Sequence, residues 1–196
     1  MNFLFHFLLR WFLTCLLILY LIGPSYTSTE YEQNLPIYET INKINANVIF
    51  LRHTLAPGIG DPKNFKLNDC STQRNLDRVG RRQAEELGSL FRQNKVNFDE
   101  ILSSEWCRCK ETAALMQLGQ WETFLGLNSF FEGYVNKKET LRLLNQKLAL
   151  IKSDKLVLMI THQVVISAIT GKFVGSGKMV FYNSETGISE HFKWEK

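Results

Sequence analysis

The sequence of 196 residues predicts an α/β protein, a three-layer α/β/α sandwich with a mostly parallel central sheet. Two observations carry this prediction. Short apolar runs rich in branched side chains, typical of buried strands, alternate along the chain with segments whose apolar residues recur at helical spacing. No internal repeat or low-complexity tract competes with this pattern. With 45% hydrophobic and 21% charged residues, the chain can bury the core of one ordinary domain.

Residues 1–24 predict a signal peptide or an N-terminal membrane anchor. Arg10 precedes an unbroken apolar run from Trp11 to Ile22. This run has about the length of a signal-peptide core and is shorter than the ~20 residues of a membrane-spanning helix. Small residues follow it without an Ala-x-Ala site, so cleavage and retention both stay open. We expect an exported domain, periplasmic or membrane-anchored, that lies outside the cytoplasm.

A linker is predicted for residues 25–46, which are polar and show no sustained period. We expect this segment to be disordered or a loose strap, and the domain to span residues 47–196. The formal net charge of +4 is small and partly terminal. Because no basic surface interleaved with aromatic residues accompanies it, we expect no nucleic-acid partner.

The stretch NVIFLRHT at residues 47–54 predicts the first central strand, buried on both faces. Arg52 and His53 then lie at its carboxyl end, where open α/β sheets bind ligands. Residues 55–75 carry turn signals and no periodicity. A loop of that length inside a compact domain is usually functional. We expect it to lie over the crevice beside Arg52 and His53.

Two helices and a strand are predicted next. Asp77 can cap a helix whose apolar face recurs at helical spacing. The residues that define this face are Val79, Gln83, Leu87, Leu90 and Phe91. Residues 98–103 predict a strand, and Ser103 or Ser104 is expected to cap the helix that follows. Arg108 then lies near a helix amino terminus, where N–H groups and the helix dipole favour an anion.

The middle of the second half predicts a short edge strand at residues 123–127 and a further helix. Asn136 with Glu139 resembles a capping box at the start of that helix. Its apolar stripe consists of Leu141, Leu144, Leu148 and Ile151.

The last third of the chain predicts a second central strand at residues 155–161, which ends directly before His162. A short helix closed by Gly171 follows it. Residues 177–183 and 187–194 predict a terminal pair of strands.

The motifs of this chain resemble the histidine phosphatase, or phosphoglycerate-mutase-like, superfamily. The signature of that family is a strand ending in Arg-His-Gly, then Ser-Ser-x-x-x-Arg-Ala-x-x-Thr-Ala, then a strand ending in His-Gly. LRHT, SSEWCRCKETA and ITHQ stand here in the same order, and LDRVGRRQAEELG at 76–88 is similar to the family's Leu-Thr-x-x-Gly-x-x-Gln-Ala helix. The resemblance covers roughly residues 47–182. Thr54 and Gln163 stand where glycine is usual, which affects the shape of the pocket rather than the reaction.

The resemblance implies a phosphomonoester hydrolase that acts through a phosphohistidine intermediate on a small phosphorylated substrate. A neutral imidazole nitrogen can attack phosphorus, and this role falls to His53. Arg52 and Arg108 supply planar forks matched to phosphate oxygens, and His162 completes the set that holds the phosphate. Because side chains neutralise the phosphate, neither a metal nor an organic cofactor is required.

Other candidate site residues follow from the same resemblance. The leaving oxygen is usually protonated by a carboxylic acid that lies after the second arginine motif. Glu132 is the first choice for this acid and Glu122 is the second. Gln73 and Arg74 in the long loop are expected to bind substrate, whereas Lys63 fits a solvated loop surface better.

A second hypothesis is a catalytically silent phosphate-binding module of the same fold. Thr54 and Gln163 favour it, and the intact set of two arginines and two histidines argues against it. The cysteines offer a different chemistry, a metal or redox site. A zinc site needs about four ligands, and the CxC pair supplies two without a second spaced pair.

The cysteines also predict a disulfide. In an oxidising compartment Cys70 is expected to pair with one member of the CxC pair, with Cys107 favoured over Cys109. Residues two apart on a helix point in nearly opposite directions, so at most one of the pair should meet Cys70. Cys109 is then expected to be a small buried residue against the sheet.

Overall fold

The computed structural model describes residues 36–192 of the chain. Six strands form one sheet: β1 (Val48–Arg52), β2 (Glu100–Ser103), β3 (Glu122–Thr123), β4 (Val157–Thr161), β5 (Met179–Tyr182) and β6 (Ser189–His191). The α-helices of these residues are α1 (Pro36–Ile44), α2 (Arg78–Gln93), α3 (Cys107–Met116), α4 (Lys137–Leu148) and α5 (Gln163–Thr170). Short 3₁₀ turns lie at Cys70–Thr72, Leu125–Leu127 and Phe131–Gly133.

The strand order of the sheet is β3-β2-β4-β1-β5-β6. The pairs β1–β4, β2–β4 and β2–β3 are parallel, while β5 runs antiparallel to both β1 and β6. The mostly parallel sheet predicted from the sequence is therefore confirmed. The two predicted central strands, β1 and β4, are direct neighbours, with Arg52 opposite Thr161.

Alternate residues of the central strands pack into two separate hydrophobic layers, because successive side chains of a strand point to opposite faces. Ile49 and Leu51 of β1 share one layer with buried residues of α1, α2 and α3. Val48 and Phe50 share the other layer with buried residues of α4 and α5. Helices thus cover both faces of the sheet, which confirms the three-layer α/β/α sandwich.

The predicted linker is wrong for residues 36–44, which form α1. Ile37 is only 1% exposed, and Ile41 and Ile44 pack against the same hydrophobic layer. These three isoleucines have the i, i+4, i+7 spacing of one helical face. The signal was present in the sequence, but it spans little more than two turns among polar residues. Helix α1 extends the packed domain to the N-terminal side of residue 47.

The predictions for residues 1–24, and for the first part of the linker, lie outside the described residues. Within residues 36–192 the structure contains no helix that has both the length and the apolar character needed to cross a membrane.

Three predicted helix ends are confirmed. The Asp77 carboxylate accepts the N–H of Gly80 at 2.7 Å at the start of α2. The Asn136 side chain accepts the N–H of Glu139 at 3.1 Å at the start of α4. Gly171 ends α5 with a φ of 69°, in the left-handed region that glycine tolerates best.

The predicted start of α3 is wrong. The helix begins at Cys107, with Trp106 at its N-cap, because Trp106 still has an extended backbone. The Ser104 hydroxyl accepts the N–H of Trp106 at 3.3 Å, but its main partners lie elsewhere, in the candidate site. The edge strand β3 is also shorter than predicted, and Leu125–Leu127 forms a 3₁₀ turn instead.

Two glycines of α2 allow close approach of neighbouring backbone. A Cβ at Gly80 would lie 2.0 Å from the carbonyl oxygen of Leu55, and one at Gly88 would lie 2.0 Å from that of Met116. Glycine inside a helix costs roughly 1 kcal/mol relative to alanine. Here it lets α2 lie directly against the start of the long loop and the end of α3.

The predicted disulfide is confirmed between Cys70 and Cys107, with a Cα–Cα distance of 5.7 Å. Cys109 is free and fully buried, as expected, and burial raises the pKa of its thiol to about 12. Such a thiol is a packing group rather than a nucleophile. Among residues 36–192, no three His, Cys, Asp or Glu side chains are grouped so as to hold a metal ion.

Candidate active site

The carboxyl ends of three parallel strands meet at one edge of the sheet. His53 follows β1, Ser104 follows β2 and His162 follows β4. The His53 N–H donates to the carbonyl of Thr161 at 3.0 Å, which continues the pairing of β1 and β4 by one residue. The ring centroids of His53 and His162 are consequently 5.5 Å apart. The sheet register therefore brings together two histidines that are separated by more than a hundred residues in the sequence.

A cavity of about 170 Å³ lies at this edge. Its ionisable lining consists of three arginines and two histidines: Arg52, Arg74, Arg108, His53 and His162. The remaining lining comes from the long loop, the segment after β3 and the start of α5, through Gly58, Ile59, Gly60, Ser129, Phe131, Gln163 and Val164. The expected position of the long loop beside Arg52 and His53 is confirmed.

His53 is held as a neutral ring with a defined tautomer. Its Nδ1 lies 2.8 Å from the carbonyl oxygen of Thr54. A carbonyl can only accept, so Nδ1 carries the proton and Nε2 keeps the lone pair. Burial, and then the charge of Arg108, lowers the pKa of His53 well below its usual value. The ring is therefore uncharged near neutral pH, and its Nε2 keeps a lone pair in a residue that lines the cavity.

His162 is also buried and neutral. Its Nε2 lies 2.8 Å from the Ser104 hydroxyl, and its Nδ1 lies 3.5 Å from Nη2 of Arg108. Because a guanidinium can only donate, Nδ1 is the acceptor and Nε2–H donates to Ser104. Burial lowers the pKa of His162 well below its usual value, and the charge of Arg108 adds to this effect. Ser104, which was predicted to cap a helix, instead orients this ring.

The guanidinium of Arg52 is anchored at one end only. Its Nη1 donates to the carbonyl of Val174 at 2.9 Å, whereas its buried Nε has no partner among the described residues. Burial, and then repulsion by Arg108, lowers the pKa of Arg52. Arg108 likewise has a buried Nε without a partner in this part of the chain. Two orphaned donors beside one small cavity fit a bound anion.

Arg108 forms a buried ion pair with Asp61, a residue of the long loop. The distance between Nη1 and Oδ1 is 2.9 Å, and the two side chains are only 3% and 4% exposed. Burial alone would raise the pKa of the Asp61 carboxyl, but hydrogen bonds and the charge from Arg108, followed by bonds from Arg74 and Trp106, lower it overall. Asp61 is therefore ionised near neutral pH and paired with Arg108.

The structure separates the two loop residues that were predicted to bind substrate. Arg74 lines the cavity, and its Nε donates to the carbonyl of Gly60 at 2.7 Å. Gln73 does not line the cavity, and substrate binding by it stays a prediction. Its amide nitrogen donates to the carbonyls of Lys66 and Leu67, and its oxygen accepts the N–H of Cys107 at 2.9 Å. The first two bonds hold the loop together, and the third ties it to the start of α3.

The candidate acids lie outside the cavity lining. Glu132 is exposed, and its Oε2 accepts the N–H of Asp61 at 3.1 Å. The neighbouring Phe131 lines the cavity in its place. Glu122 lies in the edge strand β3 and is exposed. Lys63 is exposed, as expected for a solvated loop residue.

The two positions that depart from the glycines of the family motif are accommodated differently. Thr54 is fully buried and its side chain does not line the cavity. Its N–H donates to the Thr112 hydroxyl at 3.2 Å, and that hydroxyl donates to the carbonyl of Arg108 at 2.7 Å. Thr54 thus ties the end of β1 to α3. Gln163 lines the cavity and changes its wall directly.

Sequence reasoning missed Asp61 and Trp106. The indole N–H of Trp106 donates to Asp61 at 3.0 Å, and its ring stacks on Phe65 of the loop at 5.2 Å between centroids. Phe65 also contacts Tyr134 at 4.4 Å between centroids. The apolar Phe65 inside a polar loop was the available signal that this loop is packed. Asp61 itself stands between a glycine and a proline, a context typical of any turn.

Comparison with known proteins agrees with this geometry. Residues 48–128 match the model of the histidine phosphatase superfamily, branch 1. This match covers less than half of the chain. No curated protein matches the sequence significantly.

Solved structures of histidine phosphatases share the fold at low sequence identity. The protein histidine phosphatase SixA complexed with tungstate is 17% identical, with a TM-score of 0.50 over 75% of this chain and 94% of that one. The phosphoserine phosphatase of Entamoeba histolytica in complex with 3-phosphoglyceric acid is 17% identical, with a TM-score of 0.53 over 76% and 96%. A mycobacterial glucosyl-3-phosphoglycerate phosphatase is 13% identical, with a TM-score of 0.50 over 76% and 98%. The predicted phosphoglycerate-mutase-like fold is confirmed.

The two buried histidines predict that the domain loses stability as the pH falls below their ordinary pKa of about 6.5. Their pKa values are lowered in the folded domain, so the unfolded chain binds protons at a higher pH than the folded domain does. Within this window, each ring lowers the free energy of unfolding by at most about 1.4 kcal/mol for every unit by which the pH falls. Urea unfolding at about pH 7 and about pH 5 measures the loss.

His53→Asn should make this loss smaller, because one of the two rings no longer takes up a proton on unfolding. His191→Asn, which replaces an exposed histidine of β6, is the matched control and should behave like the unmodified domain. Equal unfolding free energies of the unmodified domain at both pH values would contradict the neutral assignment of the two rings.

Proposed function

We propose that the domain is a phosphomonoester hydrolase that acts through a phosphohistidine intermediate. The observation that carries this proposal is the state of His53, a buried neutral ring whose Nδ1 is bound and whose Nε2 carries the lone pair. Three arginines line the same cavity and supply the positive charge that a phosphoryl group needs. The family of residues 48–128 and the phosphatases that share the fold support the same class of reaction.

In the first step Nε2 of His53 attacks phosphorus, and the bond from phosphorus to the leaving oxygen breaks as the P–N bond forms. Arg52 and Arg108 stabilise the charge on the phosphoryl oxygens, and His162 helps to hold the phosphoryl group. In the second step water attacks phosphorus, the P–N bond breaks, and phosphate leaves with the neutral ring restored. His53 Nδ1–H stays on the Thr54 carbonyl throughout, which fixes the ring for in-line attack.

Whether a side chain can protonate the leaving oxygen affects which phosphate esters are hydrolysed fastest. Glu132, the first candidate for this acid, contacts Gly60 and the Asp61 N–H rather than lining the cavity. We therefore propose that the preferred leaving groups depart without a proton, as phenolates do, and that alkyl phosphates are slower substrates. Glu132→Gln should then change para-nitrophenyl phosphate hydrolysis by less than about threefold.

A catalytically silent phosphate-binding module is the second candidate. Gln163 favours it, because this residue lines the cavity where glycine is usual in the family motif. Steady-state turnover of para-nitrophenyl phosphate separates the two candidates, since a silent module would bind phosphate without turnover.

The proposal includes a location outside the cytoplasm. The apolar segment from Trp11 to Ile22 and the Cys70–Cys107 disulfide support it, because disulfides persist in oxidising compartments. Alkaline phosphatase fused after residue 46 should be active, since that enzyme folds only when exported. An inactive fusion trapped in the cytoplasm would contradict the location and leave the chemistry untouched.

The phosphohistidine itself can be trapped. Brief reaction with a labelled aryl phosphate, followed by an alkaline quench, should leave label on the protein that is stable in alkali and lost in acid, as expected of a phosphoramidate. His53→Ala should abolish the label, and Arg108→Ala should slow hydrolysis by roughly two to four powers of ten, because it removes a donor to the developing charge. Circular dichroism shows whether each variant is folded. A folded His53→Ala protein that still turns over would refute the mechanism.

A further inference from the structure

Three apolar side chains form a rim at the positively charged cavity, and two of them are exposed. The rim consists of Ile59, Phe131 and Val164, all of which line the cavity. Ile59 is 91% exposed and Phe131 is 45% exposed, although both belong to apolar residue types that are normally buried. Exposed apolar groups beside a functional cavity are typical of a binding surface.

The position of Ile59 is held by the structure on both sides. It lies between Gly58 and Gly60, which have φ values of 94° and 69° in the region that favours glycine. The Gly60 carbonyl accepts Nε of Arg74 at 2.7 Å, and a Cβ at Gly60 would lie 2.4 Å from Glu132 Oε1. The positive φ values therefore favour glycine on both sides of Ile59, and the Glu132 carboxylate lies close to Gly60. The loop is braced where it presents an isoleucine to solvent.

We infer that the organic group of the substrate is apolar and packs on Ile59, Phe131 and Val164 while its phosphate lies among the arginines. The inference rests on the proposed phosphatase function. It assigns specificity to the rim, because the charged part of the cavity recognises only the phosphate that all phosphomonoesters share.

Two aryl phosphates with similar phenolate leaving groups test the rim: para-propylphenyl phosphate and para-(hydroxymethyl)phenyl phosphate. We expect a kcat/KM for the propyl compound that is roughly tenfold higher, because its carbons lose contact with water on the rim. Ile59→Ser should remove most of this preference without affecting the fold, since the side chain is almost fully exposed. Leu150→Ser is the matched control, a remote leucine that is 79% exposed, and it should keep the preference.

Equal kcat/KM values for the two compounds in the unmodified protein would overturn the apolar specificity and leave the phosphatase standing. A preference that survives in Ile59→Ser would overturn the assignment to the rim. Failure to hydrolyse either compound or para-nitrophenyl phosphate would refute the proposed function, and the specificity with it.

A second inference concerns Asp61, whose carboxylate is fully engaged. It accepts Nη1 of Arg108 at 2.9 and 3.2 Å, Nη2 of Arg108 at 3.2 Å, the indole N–H of Trp106 at 3.0 Å and the backbone N–H of Arg74 at 2.9 Å. Arg108 lines the cavity, whereas Asp61 does not. The carboxylate therefore binds the terminal nitrogens of the guanidinium from behind the cavity wall.

Arg108 keeps one donor, its Nε, for a ligand despite this ion pair. Its Nε is buried and has no partner among residues 36–192, and its Nη2 lies 3.5 Å from His162 Nδ1. A carboxylate with this many donors of its own is not displaced by a ligand at little cost. We propose that Asp61 is a positioning residue that orients Arg108 so that its Nε side contacts the phosphoryl group.

The proposal also accounts for the charge balance of the cavity. Arg108 lowers the pKa values of both Arg52 and Arg74 by repulsion, in addition to the effect of burial. Asp61 opposes this effect on Arg74. One buried carboxylate among three guanidiniums leaves a net charge of about +2, which balances the charge of a phosphate dianion.

A double-mutant cycle tests whether Asp61 acts through Arg108. Asp61→Asn should lower kcat/KM for para-nitrophenyl phosphate by roughly ten- to a hundredfold, mostly in kcat, and weaken competitive inhibition by phosphate, because the guanidinium is no longer held in place. In an Arg108→Ala background the same substitution should have little further effect. Glu100→Gln, which breaks the remote Lys147–Glu100 ion pair, is the matched control and should leave kcat/KM unchanged.

Two results would overturn this role. One is a kcat/KM and a phosphate inhibition constant of Asp61→Asn that both stay within about threefold of the unmodified protein. The other is an equal loss from Asp61→Asn with and without Arg108, which would mean that Asp61 only holds the loop. If Arg108→Ala does not fold, the phosphate inhibition constant of Asp61→Asn decides alone.

Discussion

The parallel pairing of β1 with β4 is the interaction on which the candidate site depends. Its register sets Arg52 opposite Thr161 and so places His53 beside His162 directly after the two strand ends. A slip of one residue would turn every side chain of β1 to the opposite face. Both hydrophobic layers would then lose their β1 residues, so the packing of the whole sandwich protects the spacing of the two histidines. The packing of the core therefore fixes the spacing of the groups that line the cavity.

The positive charge of the cavity is a second constraint on the site. Burial, which keeps the two histidines neutral, limits this charge as much as the ion pair of Arg108 with Asp61 does. Burying two histidines next to three guanidiniums would be costly if the rings were charged, so they are neutral. The same burial leaves His53 with a lone pair and denies Cys109, which lies in the adjacent helix, any nucleophilic character. A single environment thus selects which of the potential nucleophiles can react.

The sheet, its strand ends and the set of Arg52, His53, Arg108 and His162 could be predicted because short local patterns encode them: a buried apolar run, a helix start and the residues that follow. Two features could not. Helix α1 was missed because a pattern of little more than two turns among polar residues is too short to distinguish from a linker. Asp61 was missed because its importance arises only from tertiary contacts with Arg108 and Trp106, and nothing in its local sequence differs from an ordinary turn. The bond between Gln73 and Cys107 could not be predicted for the same reason, since the two residues are distant in the sequence.

The Cys70–Cys107 bridge has a practical consequence for anyone who prepares this protein. It joins the loop that carries Asp61 to the residue directly before Arg108, so oxidation of the two thiols completes the surroundings of a catalytic candidate. Material produced in a reducing bacterial cytosol would retain both thiols and a loop with one fewer attachment. An assay of the proposed activity on such material would test a chain that lacks this bridge. The oxidation state of Cys70 and Cys107 therefore belongs among the conditions that are set before two samples are compared.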